Sequence, residues 1–353
     1  MRGRRRRWVA LSAGAIGVAL AIAVVYLALE APLADPAEGP SPGDRRPARP
    51  DARWTPVEAA LVRLSKTHVV VHGHATEIAG DGGAEVGLER PVSLLLDTGL
   101  SVVLATADGE KNLGIHGGAG EPLASSSFSG ARTELTPADE SAPVVVSAAG
   151  LADPARVATR VEYVATDALE GADVVLPPWM LGPRGGAVRL DLDRLRFRAC
   201  DALADCLEPG VARISESTPC RDYPDLVVVT ALVNGNAARL LLDTGGSTWF
   251  DRGFFWAYLA THSRALRPGD LYGSGHDTVH AKVAEGPWSF SFGDERGART
   301  SANQIWVVDP TGGAVSSCGL DGAVGLDVFE GCTLVISDGS PPTVHASCPQ
   351  KPR

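Results

Sequence analysis

Short apolar runs broken by Gly, Pro and charged residues recur along most of the chain, a rhythm that predicts strands in preference to long helices. Val69–Val71, Pro91–Leu96, Val144–Val146, Thr159–Val164, Ala187–Leu190, Leu226–Val229 and Gln304–Val308 all fit strands bounded by turn residues. Two segments read differently. Thr55-Pro56-Val57-Glu58 has the residues to cap a short helix with Ala60, Leu61 and Leu64 on one side, with a strand as the alternative. Phe254 to Ser263 reads as a helix whose aromatics, Phe254, Phe255, Trp256 and Tyr258, serve core packing.

The N-terminal pattern is of another kind. Arg2, Arg4, Arg5, Arg6 and Arg7 precede an uncharged run of 22 residues, Trp8 to Leu29, long enough to span a membrane as a helix. The flank after Leu29 offers only weak cleavage sites, so an uncleaved signal anchor is expected, with secretion as the outcome if it is cut. The Arg cluster stays cytoplasmic, and everything downstream is exported, to the periplasm or outside. Residues 31–53 are rich in Pro and charge and read as an extended tether.

Composition narrows the partners. The net charge is −10, and because five of the 32 basic residues lie in the first 29 positions, the rest of the chain sets 27 basic against 42 acidic residues. Such a body repels phosphate backbones, so no nucleic-acid partner is expected. The six cysteines, Cys200, Cys206, Cys220, Cys318, Cys332 and Cys348, all fall in the exported part, and disulfides are the expectation. Cys318 with Cys332 is a plausible local pair, while the equal placement of Cys200 and Cys348 in the two halves suggests equivalent lobe ends.

An internal repeat carries the most information. Leu94-Leu95-Leu96-Asp97-Thr98-Gly99-Leu100-Ser101 recurs 146 residues later as Leu240-Leu241-Leu242-Asp243-Thr244-Gly245-Gly246-Ser247. Asp173-Val174-Val175-Leu176-Pro177 lies against Asp321-Gly322-Ala323-Val324-Gly325 at an offset of 148, and Cys200 falls on Cys348 at the same offset. The chain therefore divides into a basic segment and signal anchor (1–30), the tether (31–53), a first lobe (54–200), a connector (201–220) and a second lobe (221–353), with an all-β body. A carboxylate ending an apolar strand is costly unless it is hydrogen-bonded or functional. Two of them meeting across a lobe interface would share one proton, leaving one as base and one as acid toward a bound water.

This doubled Leu-Leu-Leu-Asp-Thr-Gly-x-Ser pattern, with Ala323-Val324-Gly325 behind the second copy, resembles the aspartic peptidase family, in lobe size and motif style closer to retropepsin-like than to pepsin-like domains. The resemblance covers everything after the tether. It implies two pseudo-symmetric β lobes with an active-site cleft between them. It implies Asp97 and Asp243 as catalytic residues of an endopeptidase acting on peptide or protein substrates without metal or other cofactor. Thr98 and Thr244 would exchange hydrogen bonds, Gly99 and Gly245 would allow close approach, and Ser101 and Ser247 would support the carboxylates. The Gly-rich flaps over the cleft would come from Gly117 and Gly118 in the first lobe and Tyr272 and Gly273 in the second. The sequence departs from the family pattern at Pro177, where Gly is expected, and at Leu100 and Gly246, where Ala, Ser or Thr is common. These departures keep a second reading open, a weakened or inactive binding or assembly module. His68, His72 and His74 share a strand parity but read as exposed-strand histidines, and His276, Asp277 and His280 as flap residues. No GxSxG, HExxH or P-loop string occurs.

Overall fold

Three consecutive leucines leave a strand with no polar face, so each Leu triplet needs cover on both sides. In the computed structural model that cover comes from other strands. The described residues are 58–78, 89–126, 132–141, 143–149, 158–165, 169, 171–216, 220, 223–272, 278–293, 297–309, 317–339 and 342–349. The basic segment, apolar run and tether expected over 1–53 lie outside them. Among the described residues no helix is long and apolar enough to cross a membrane.

The protein is mostly β. The first half contributes β1 (Glu58–Arg63), β2 (Val69–Glu77), β3 (Arg90–Leu96), β4 (Leu104–Ala105), β5 (Leu123–Ser126), β6 (Arg132–Pro137), β7 (Val144–Ala148), β8 (Thr159–Arg160), β9 (Tyr163–Ala165), β10 (Val174–Leu176), β11 (Ala187–Asp191) and β12 (Arg196–Cys200). The rest contributes β13 (Ala212–Arg213), β14 (Val228–Val233), β15 (Asn236–Leu242), β16 (Trp249–Asp251), β17 (Ala265–Tyr272), β18 (Thr278–Phe292), β19 (Arg299–Val308), β20 (Gly322–Val324), β21 (Thr333–Ser337) and β22 (Val344–Ser347).

The strand order β2-β3-β10-β4-β9-β6-β5 is repeated as β14-β15-β20-β16-β19-β18-β17. The senses repeat as well: β3 is parallel to β10 as β15 is to β20, and β4 is parallel to β9 as β16 is to β19. In the second set β14 also pairs with β18, closing six strands into a barrel. A further run, β13-β22-β21-β11-β12-β1, is built from both ends of the chain. Within the second set Phe250, Phe290, Phe292 and Phe329 stack in series with ring centroids 5.0–6.3 Å apart.

Several elements differ from the sequence reading. Glu58–Arg63 is a strand: Ala59 and Leu61 point inward while Glu58, Ala60 and Val62 are exposed, a period of two that the helical alternative lacks. The expected helix at Phe254 begins at Arg252, because the Asp251 carboxylate accepts from the amides of Gly253 and Phe254 at 2.8 and 3.1 Å. It then breaks into π and 3-10 turns, and only Phe254 and Phe255 of its aromatics are buried; Trp256 and Tyr258 are exposed. An unforeseen helix, α1 (Ala107–Leu113), is capped by Thr106 and ends at Gly114, whose φ of 69° suits glycine.

The cysteines form Cys200–Cys206, Cys220–Cys318 and Cys332–Cys348, and none is free. The local Cys318–Cys332 pair does not form, because Cys332 immediately precedes β21 and Cys348 immediately follows its antiparallel partner β22, with Thr333 opposite Ser347. Cys200 is likewise taken by Cys206 on the adjoining turn. Three closed bridges point to an oxidising, exported location, extracellular or periplasmic.

Candidate active site

Each Leu triplet delivers an aspartate to the end of its strand. Leu94–Leu96 and Leu240–Leu242 are fully buried, so the chain leaves the core at Asp97 and Asp243 and must turn there. The turns are anchored identically: the Asp97 amide donates to the Leu176 carbonyl and the Asp243 amide to the Val324 carbonyl, both at 2.9 Å. The distant acidic landmarks tie down the incoming strands. Asp173 accepts from the Ser93 amide at 2.9 Å, and Asp321 from the Arg239 amide at 2.8 Å.

The two turns then bind each other. The Thr98 amide donates to the Thr244 hydroxyl and the Thr244 amide to the Thr98 hydroxyl, both at 3.0 Å. Each hydroxyl donates onward, Thr98 to the Leu242 carbonyl at 2.7 Å and Thr244 to the Leu96 carbonyl at 2.8 Å. Both threonines are fully buried, so all four polar groups depend on this exchange.

The exchange brings the Asp97 and Asp243 carboxyls into hydrogen-bond contact. Gly99 donates its amide to Asp97 Oδ1 at 2.7 Å, and Gly245 donates to Asp243 Oδ1 at 3.1 Å. A Cβ on Gly245 would overlap the Asp97 carboxyl, and one on Gly246 would overlap Asp243 Oδ2, so the glycine at the departing position 246 is required by the turn itself. Leu100 packs against the apolar cluster of Val70, Leu95 and Leu104.

Both carboxyls are pushed above the ordinary aspartate range, chiefly by burial. They are not equal. At Asp97 the burial effect is opposed by the Gly99 amide, the bond with Asp243, the nearby His68 and the Gly245 amide. At Asp243 burial is reinforced by the charge of Asp97 and by half-buried Asp327, against the Gly245 amide. Burial and the adjacent like charge together favour one proton shared by the two carboxyls over a doubly ionised pair. Such a pair is equipped to take one proton from a water molecule and give another to an acceptor.

The surroundings of the two turns differ in a coordinated way. Behind Asp243 the Gly325 amide donates to Thr248 Oγ1 at 2.9 Å, and Thr248 donates to Asp327 at 2.6 Å. Asp327 is pushed up by burial against the opposing Thr248 bonds. In the first half, strand register puts Pro177 in the place of Gly325, Trp179 in that of Asp327 and Val103 in that of Thr248. Amide hydrogen, hydroxyl and carboxylate are all absent there, so Pro177 leaves no polar group unpaired. Val103 and Trp179 are buried as an apolar replacement.

Other expected site residues lie elsewhere. Ser101 is exposed, and neither it nor Ser247 hydrogen-bonds a carboxylate; the supporting hydroxyl in the second half is Thr248, one residue beyond Ser247. Gly117 bridges Ala138 and the Gly118 amide donates to Pro137, placing both at the base of the β5–β6 hairpin and away from its turn. Tyr272 closes β17 opposite Thr278; Gly273, His276 and Asp277 lie outside the described residues. His280 pairs with Asp270 at 2.9 Å on the same hairpin. His72 and His74 stay on β2, where His74 meets Glu89 at 3.3 Å. His68, read as an exposed-strand histidine, is half-buried and lies 2.8 Å by Nε2 from the Gly245 carbonyl. Nothing in the spacing of His68 foretold this, since its partner lies 177 residues away. Among the described residues no cluster of His, Cys, Asp and Glu is arranged to hold a metal ion. No protein-family model matches the chain, and neither does any curated protein, so the site stands on its geometry alone.

Proposed function

We propose that the protein is an aspartic-type endopeptidase of two aspartic-peptidase-like lobes, held at the membrane by its N-terminal apolar segment and acting on peptide or protein substrates on the exported side. The observation that carries this reading is the reciprocal Thr98–Thr244 exchange, which brings the half-buried Asp97 and Asp243 carboxyls together. In the proposed reaction ionised Asp97 removes a proton from a water molecule, and the water oxygen attacks the scissile carbonyl carbon. Protonated Asp243 donates to the carbonyl oxygen, giving a neutral tetrahedral diol. Collapse breaks the C–N bond as Asp97 returns its proton to the leaving nitrogen and Asp243 regains one from the diol, so the pair ends as it began. The β17–β18 hairpin and the β5–β6 hairpin would cover an extended peptide, pairing with its backbone as an added strand.

The alternative of an inactive binding module rests on Pro177, Leu100 and Gly246; the matched apolar residues Val103 and Trp179 behind Pro177 and the contact of Gly246 with Asp243 favour the peptidase reading over it. Incubating the full chain in detergent with a peptide library tests the proposal. Cleavage that a hydroxyl-bearing transition-state mimic blocks, and that disappears in Asp97→Asn and Asp243→Asn, is expected. Cleavage unaffected by either substitution would place the chemistry elsewhere.

A further inference from the structure

The two turns are near-copies that hold each other through Thr98 and Thr244, yet among the described residues only the second has its glycine carbonyl held by a side chain from outside the pair. Val70 sits opposite Leu95 and Val228 opposite Leu241, so the residue two positions earlier is His68 in the first half and Leu226 in the second. His68 reaches across to the Gly245 carbonyl, and Leu226 has no polar atom with which to return the contact to Gly99. A carbonyl only accepts, so Nε2 carries the hydrogen. Nδ1 faces the hydroxyls of Ser65 at 3.0 Å and Thr67 at 3.2 Å, which donate to it when the ring is neutral. Ser65 Oγ is itself fixed by the amides of Thr67 and His68, both at 3.1 Å. The ring is therefore oriented from behind by its own turn and aimed at the opposite half of the site. Its target is tightly packed, since Gly245 donates its amide to Asp243 and has no room for a Cβ beside the Asp97 carboxyl.

Resting on the peptidase reading, we propose that His68 is a positioning residue for the dyad: by holding the Gly245 carbonyl it keeps the second Asp-Thr-Gly turn, and the amide hydrogen of Gly245, in register with both carboxyls. The first half thereby controls the geometry of the second, a control that the Leu226 position does not reciprocate. The role is geometric, so any side chain of suitable length with an N–H donor should fill it, and an apolar one should not.

His68→Leu installs the residue that the second half already tolerates at the equivalent position, and His68→Gln keeps a donor without the ring. Both are compared with the wild-type full chain and with Asp97→Asn on a cleavable peptide, together with amide hydrogen exchange over Thr244–Ser247. The expected result is a kcat lowered about tenfold to a hundredfold in His68→Leu with KM within about twofold, recovered to within a few-fold of wild type in His68→Gln. Exchange at the Gly245 and Gly246 amides should rise in His68→Leu alone. A His68→Leu enzyme with wild-type kcat and unchanged exchange would overturn the inference, as would His68→Gln no better than His68→Leu in both readouts. If wild type fails to cleave, or if the Asp97→Asn variant cleaves equally well, the peptidase reading is what fails, and the exchange comparison still decides whether His68 holds the turn. Should His68→Leu not fold, His68→Gln against His68→Glu, equal in length but without a donor, gives the same comparison.

Discussion

Asp243 and Asp97 differ in what surrounds them by only a few groups, and both are raised above the ordinary aspartate range. His68 and two amides favour charge on Asp97, whereas Asp327 and Asp97 itself disfavour it on Asp243. A carboxyl whose native pKa is raised above its unfolded value contributes its full stability below the unfolded value, near 3.8, and loses it as pH rises toward the native one. At neutral pH the native state therefore bears a cost at Asp243 that a neutral amide of the same shape avoids. Asp243→Asn should melt several degrees higher than wild type at pH 7, with the gain vanishing below about pH 4, measured by calorimetry across that range. The same substitution should abolish hydrolysis, since an amide has no acidic proton to give. Equal melting temperatures at every pH would mean that Asp243 is not buried as described. At Thr98 the expectation is reversed: Thr98→Val leaves the Thr244 amide and the Leu242 carbonyl without their partner, a loss of about 2–4 kcal/mol by denaturant titration.

At the scale of elements, the two halves solve one problem in two chemistries. Gly325, Thr248 and Asp327 form a donor chain behind the second turn; Pro177, Val103 and Trp179 form an apolar contact behind the first. Single exchanges between them should fail in both directions. Thr248→Val strands the Gly325 amide and leaves the Asp327 carboxyl with backbone donors only, and Val103→Thr adds a buried hydroxyl beside a proline that has no N–H, so each should cost roughly 1–4 kcal/mol by thermal or chemical denaturation. A neutral outcome for both would dissolve the coupling between the three positions. This matching is hidden in the sequence because the offset between the halves slips from 146 at Thr98 and Thr244 to 145 at Val103 and Thr248, just past the end of the repeated motif at Ser101 and Ser247. The Leu triplets, by contrast, were legible, because a strand covered on both faces must be apolar at every position. The hairpins were less so: glycines at 114–120 stood out, yet Gly114 caps a helix and the β5–β6 strands that form the hairpin, Leu-Ala-Ser-Ser and Arg-Thr-Glu-Leu-Thr-Pro, carry little apolar pattern. His68 and the disulfide pairings escaped because each depends on a contact made only after the sheets assemble.

Across the whole molecule, stability depends on how the chain ends are returned to the middle. Of the last two strands in the chain, β21 pairs with β11 from the first half and β22 pairs with β21, so the barrel is tied by its own C-terminal continuation to the run that also holds β1. Cys332–Cys348 pins that returning hairpin over a separation of 16 residues, and Cys200–Cys206 closes a turn over 6. Cys220–Cys318 is of another order, spanning 98 residues and enclosing β14 through β19. It joins the segment entering the barrel to the one entering β20, among Leu226, Trp249 and Leu271. If a bridge acts by restricting the unfolded chain, its contribution grows with the logarithm of the loop it closes, giving about 5 kcal/mol for the 98-residue loop against about 2 kcal/mol for the 6-residue one. Replacing both members of each pair by Ala should therefore lower the denaturation midpoint much more for Cys220/Cys318 than for Cys200/Cys206. Neither pair touches Asp97 or Asp243, so both variants should keep wild-type cleavage rates well below their melting temperatures. Equal losses from the two pairs would show that local packing at the sulfurs, and not the length of chain they constrain, sets what each bridge contributes.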